Sequence, residues 1–137
     1  MKSVLLALAL ISAPVLASAA TAPTPAPAPN TFTVEFTNSE GEVLITDQYN
    51  RTLYVFDKDI GQPGSVCTAA CAETWPPYLL DAQEAASLKA PLGSVARGKG
   101  MQLTYNGRPL YLFAYDRVVG NDLGDGIGGV WHYIVIK

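Results

Sequence analysis

Phe32, Val34 and Phe36 alternate with Thr31, Thr33, Glu35 and Thr37. A period of two in β-favouring residues predicts a half-buried strand. Asn38-Ser39-Glu40-Gly41 reads as a turn and 42–46 as the next strand. Residues 47–50 then turn the chain into a third strand over 52–56. Further on, Leu103-Thr104-Tyr105 runs into Asn106-Gly107 and then into 108–113. Asn-Gly is the favoured pair for a two-residue hairpin turn with positive φ at both positions. Asn50 stands in the first hairpin where Gly107 stands in the second, and asparagine tolerates positive φ better than most residues. Pro109 has no N–H, so its strand should be at an edge or begin there. A last strand is predicted over 130–136, with Val130, His132, Ile134 and Ile136 on one face and Trp131, Tyr133 and Val135 on the other. Helix is minor. Asp81 with Glu84 three residues later predicts a capping box ahead of 82–89, and Ser65 is placed to cap a short turn through 67–73. Pro91, Gly93, Gly98 and Gly100 are expected to end the middle segment.

The hydrophobic pattern recurs. Leu53-Tyr54-Val55-Phe56-Asp57-Lys58-Asp59 returns as Leu110-Tyr111-Leu112-Phe113-Ala114-Tyr115-Asp116. Arg51 and Arg108 precede the leucines by two positions, and Trp75 and Trp131 follow them by 22 and 21. Two copies of one unit are present, at about 43–80 and 101–137. The predicted class is mainly β: two pseudo-repeated antiparallel β-hairpin units packed together, with one or two short helices in the connecting segment. Tyr54 and Phe56 share a strand face, as do Tyr111 and Phe113, and such aromatic pairs bury large areas. Asp59 and Asp116 fall just past each strand, where a carboxylate can accept backbone N–H bonds from the following loop and hold its shape.

Other elements sit at fixed places around the repeat. Cys67-x-x-x-Cys71-Ala72-x-x-Trp75-Pro76-Pro77 follows the first copy, and Gly124-Asp125-Gly126-x-Gly128-Gly129-Val130-Trp131-His132 follows the second. Together with Tyr54-x-Phe56-x-x-Asp59 and Tyr111-x-Phe113-x-x-Asp116, these resemble a bacterial secreted-repeat family defined by a Yx(F/W/Y)xxD motif, many of whose members are lipoproteins. The resemblance spans 43–137. It implies a fold and an exported location, not a reaction. The family's lipidation cysteine has no counterpart here, so a lipid anchor is not expected.

The N-terminus supports export. Lys2, an apolar run over 4–11, Pro14 and Ala17-Ser18-Ala19 make a signal peptide of about 20 residues with cleavage near Ala19. Residues 21–30 alternate proline and alanine and read as an extended linker. Residues 31–137 then form one β-rich domain. Nine basic residues stand against 12 acidic ones, and loss of Lys2 makes the net charge of −3 more negative still. No basic cluster exists, which excludes the electrostatic footprint of a nucleic-acid binder. No later segment is long and apolar enough to span a bilayer.

Cys67 and Cys71 are the only cysteines, and an oxidising compartment favours pairing them. An i,i+4 pair on a regular helix sits too far apart for a relaxed bridge, so the turn between them must be irregular. Two other uses stay open: a redox-active pair, or copper ligation by Cys67 and Cys71 with His132, the single histidine, and with Met101 as a soft ligand. Asn121, Asp122 and Asp125 offer too few oxygens at the wrong spacing for an EF-hand calcium loop and suit a turn that bonds its own backbone. Catalysis has a weak basis, since no G-x-S-x-G or H-E-x-x-H occurs and only the loop carboxylates Asp57, Asp59 and Asp116 could serve as acid and base. The leading expectation is an exported, non-enzymatic binding or interaction protein of the cell envelope. It would need no cofactor and would meet an unidentified envelope partner or small ligand. The alternative is a periplasmic copper- or redox-handling protein.

Overall fold

The computed structural model describes residues 33–136. The expected signal peptide, the linker and Phe32 lie outside the described residues. β1 (Thr33–Thr37) and β2 (Val43–Asp47) form the first antiparallel hairpin. Its turn is held by Asn38, whose Oδ1 accepts the N–H groups of Glu40 and Glu42 at 3.1 and 2.9 Å. β3 (Tyr54–Phe56) follows, then a single 3-10 turn at Asp57–Asp59 and helix α1 (Ala70–Thr74). After β4 (Leu79–Leu80) comes α2 (Ala82–Ser87), whose capping box between Asp81 and Glu84 is complete. It ends two residues before the expected boundary, where Leu88 turns extended.

β5 (Leu92–Arg97) and β6 (Gly100–Tyr105) form the second hairpin. The strand at β5 corrects the expectation that glycines end this segment. Gly98, at φ +57°, makes the hairpin turn instead of a terminus. Asn106 and Gly107 take φ +48° and +78° and join β6 to the short β7 (Arg108–Pro109). Asn50 likewise has φ +57°. The last strand, β8 (Trp131–Tyr133), is shorter than expected, because Val130 belongs to the end of a 3-10 turn over Ile127–Gly129. Residues 134–136 still pair with β2, through Ile45 N–H to Ile134 O at 3.1 Å and Ile136 N–H to Val43 O at 2.7 Å.

Three backbone bonds of the first copy recur at equivalent places in the second. Leu53 N–H donates to Ile45 O as Leu110 N–H donates to Leu103 O. Ile45 N–H reaches Ile134 O as Leu103 N–H reaches Tyr78 O, and Asp57 N–H reaches Val130 O as Ala114 N–H reaches Thr74 O. Between the copies, Tyr54 and Tyr111 exchange N–H···O bonds of 2.9 Å in both directions. The repeated strands therefore meet each other, and the Trp131 and Trp75 segments flank them through β3–β8 pairing and a Pro77–Tyr111 bridge. An aliphatic core of Ile45, Leu53, Val55, Leu80, Leu103 and Leu110 lies on one side of this meeting line. An aromatic core lies on the other.

Candidate functional site

The aromatic core is built from the repeated motif. Phe56, Trp131, Trp75 and Phe113 form one continuous stack, with centroid spacings of 4.1, 3.8 and 4.4 Å. The central Trp75–Trp131 pair is parallel within 3°. Members alternate between copies, so each phenylalanine lies on the other copy's tryptophan. Tyr54 meets Trp75 edge-on at 5.4 Å and Tyr111 meets Trp131 edge-on at 5.1 Å. The edge-to-face contacts of the two tyrosines have a favoured geometry for aromatic rings.

The tyrosine hydroxyls close the arrangement by crossing over. Tyr54 Oη–H donates to Asp116 Oδ2 at 2.6 Å, and Tyr111 Oη–H donates to Asp59 Oδ2 at 2.5 Å. Each aspartate uses its second oxygen on its own loop, as the sequence predicted: Asp59 Oδ1 accepts Val66 N–H at 2.7 Å and Asp116 Oδ1 accepts Leu123 N–H at 3.0 Å. The crossing itself was invisible in the sequence, because the partners are 62 and 52 residues apart. Burial, and then the neighbouring carboxylates, push both phenols far above the ordinary tyrosine range. Burial also raises the Asp116 carboxyl, against the hydrogen bond from Tyr54. Each phenol–carboxylate pair ties one copy's strand to the other copy's loop.

Ser65 does not cap the following turn. Its hydroxyl sits against the Tyr111 phenol and accepts from Arg97 Nη1, while Arg97 Nη2 donates to Cys67 O at 2.6 Å. Helix α1 is preceded by Ala69, which has φ +48° and offers no side-chain cap. Cys67 lies ahead of that kink and is disulfide-bonded to Cys71 across a Cα–Cα distance of 5.2 Å. The irregular turn expected for such a bridge is present.

Gly124 occupies the place in the second copy that Cys67 occupies in the first. A Cβ there would lie 2.8 Å from Trp75 Cη2 and 2.9 Å from Tyr54 ring atoms. Its N–H donates to Tyr54 Oη at 3.2 Å. Gly124→Ala is therefore expected to lower stability by about 1–3 kcal/mol through overpacking against a rigid ring stack. Chemical denaturation checks this, and Gly100→Ala is the control, since Gly100 likewise has no positive φ and its would-be Cβ meets nothing nearer than 3.9 Å.

The remaining candidate residues have separate surroundings. His132 Nε2 lies 3.1 Å from Asp57 Oδ2, and Nδ1 lies 3.8 Å from Asp125 Oδ1. Arg108 Nη2 donates to Asp57 Oδ1 at 2.8 Å, and this bond leads the effects that hold the Asp57 carboxyl below its usual range. Met101 packs against the aliphatic core, and Cys67 and Cys71 are bonded to each other. Among the described residues no group of three or more His, Cys, Asp or Glu side chains is placed to hold a metal ion. No helix among them is long and apolar enough to cross a membrane. In the glycine-rich loop, Asp125 Oδ1 accepts Tyr133 N–H at 3.2 Å, and Asn121 O accepts the Thr52 hydroxyl at 2.6 Å.

A family model described as "Secreted repeat of unknown function" matches residues 35–78 and 93–134, one span for each copy and together more than half the chain. The second span begins within strand β5. No curated protein and no solved structure gives a significant match.

Proposed function

The chain belongs to the family of secreted repeats of unknown function, and from that premise we propose that it is an exported, non-enzymatic binding or interaction domain of the cell envelope. The observation that supports this most is the crossed pair Tyr54–Asp116 and Tyr111–Asp59. Two of the three loop carboxylates are engaged by buried phenols at the edge of the core, where they fix the packing of the two copies. The Cys67–Cys71 bridge agrees with an oxidising compartment. The mature chain is taken to begin after cleavage near Ala19, to be free of lipid, and to carry residues 21–30 as a spacer before the β-rich domain.

Intact mass of the protein recovered from the exported fraction tests this reading. The expected mass is that of a chain starting near residue 20, without lipid, and lower by two hydrogens until a strong reductant is added. Cross-linking in intact cells should then give a reproducible adduct of defined mass. A reduced dithiol that binds Cu(I) stoichiometrically, and binds it less well after His132→Ala, would establish the copper-handling alternative instead.

A further inference from the structure

The two copies diverge in charge at one pair of equivalent places. In one, the Asp57 carboxylate is gripped by Arg108 at 2.8 Å and His132 at 3.1 Å. By the register of the repeat, the equivalent three positions in the other copy are Ala114, Arg51 and Pro76. All three line a cleft of about 170 Å³, walled also by Leu112 and Phe113. Both copies carry the arginine, but Arg51 is bonded to Asp47 of its own hairpin and finds no carboxylate at position 114.

We propose that this cleft binds a carboxylate carried on a short apolar stem, which takes the place that Asp57 fills in the other copy. The donor is Arg51. Asp47 Oδ2 accepts from its Nε at 2.7 Å and its Nη2 at 2.6 Å. A guanidinium has five N–H groups, so this engagement leaves donors for a second anion. The Arg51 side chain is 46% exposed, while Asp47 is fully buried, and the Tyr49 ring lies 5.6 Å from the guanidinium carbon, so the arginine is anchored on two sides and still reaches solvent. The volume suits the group: a water occupies about 30 Å³, so a carboxylate with two or three carbons fits. Pro76, Leu112 and Phe113 offer an apolar wall to the stem. Asp116 also lines the cleft, yet its two oxygens already accept from Tyr54 and Leu123. The chemistry is that of a small organic acid or of a glutamate or aspartate side chain on a partner. The proposal gives the binding role above a ligand class and rests on it.

Amide shifts of ¹⁵N-labelled mature protein provide the test. Propionate is compared with propionamide, and acetyl-glutamate-amide with acetyl-glutamine-amide. Saturable shifts at Thr52, Leu112 and Ala114 are expected with an acid and not with its neutral counterpart. A response to propionate alone identifies a small-acid site; a response to the blocked glutamate identifies a peptide side-chain site. Equal shifts from the neutral amides, or no saturable shift from either acid, overturn the proposal. Arg51→Gln should weaken binding about tenfold or more, the loss of a charge-assisted hydrogen bond. Because that change also strips buried Asp47 of a partner, Ala114→Asp is the second variant. It supplies the missing carboxylate within the chain, and added propionate should no longer bind. Undiminished binding by Ala114→Asp overturns the site. Failure here leaves the cellular cross-linking result standing, so the two readings fail separately.

Discussion

Trp75→Ala is expected to cost about 3–5 kcal/mol, the range for deleting a large aromatic side chain from a core. Trp75 contacts three rings at once: Trp131 at 3.8 Å, Phe113 at 4.4 Å and Tyr54 at 5.4 Å. Two of these belong to the other copy. The substitution therefore removes contacts between copies and within one copy together, and it takes away the surface on which Gly124 rests. A domain of this size has about 5–15 kcal/mol in total, so the variant should lose a large share of its stability. Urea denaturation followed by circular dichroism reads the effect. Tyr115→Ala is the comparison, because Tyr115 is exposed and stands beside Phe113 outside the stack; its cost should stay within about 0.5 kcal/mol. If Trp75→Ala loses no more than Tyr115→Ala, the ring stack does not hold the copies together.

Much of this arrangement could be read in the sequence, for physical reasons. Alternation at period two is dictated by strand geometry, so Thr33–Thr37 and Val43–Asp47 were foreseeable. Asn106-Gly107 identifies its hairpin because few other residues accept two successive positive φ values. The roles of Asp59 and Asp116 in their own loops were foreseeable because a carboxylate past a strand end satisfies nearby N–H groups. The partners of Tyr54 and Tyr111 were hidden for the opposite reason: they are fixed by how two copies dock, which periodicity does not encode. The strand at Leu92–Arg97 was hidden by Pro91 and Gly93, which lower local β preference, while pairing with Gly100–Tyr105 overrides it. Ser65 looked like a cap because capping is local, whereas its real neighbours, Tyr111 and Arg97, are distant in sequence. Asp57 aligns with Ala114, and a repeat that keeps its arginines while losing one aspartate marks where the two halves differ in chemistry.

Raising the pH from 10 to 12 should remove about 4–5 kcal/mol of stability through Tyr54 and Tyr111 alone. Both phenols are fully buried, and burial followed by a carboxylate neighbour raises them far above the ordinary value near 10. Below pH 10 the phenols are protonated in folded and unfolded chains alike, so their contribution is fully present. Above it the unfolded chain releases both protons and the folded one does not. The unfolded state then binds fewer protons, and stability falls by about 1.4 kcal/mol per pH unit for each tyrosine. Tyr133 also has a raised phenol, through its hydrogen bond to Glu42, so the total slope alone does not isolate the crossed pairs. Phenylalanine variants do. Tyr54→Phe leaves Asp116 without its phenol donor and should cost about 1–3 kcal/mol at pH 7. It also deletes one titrating group, so its alkaline limb should be shallower by that group's share. The gap between wild type and variant should therefore narrow as pH rises, and the Tyr54→Phe, Tyr111→Phe double variant should show the shallowest limb. Urea midpoints at pH 7, 10, 11 and 12 measure this directly. A double variant that falls as steeply as wild type would mean that these two phenols ionise freely in the folded chain, and the crossed hydrogen bonds would then not be what seals the aromatic core.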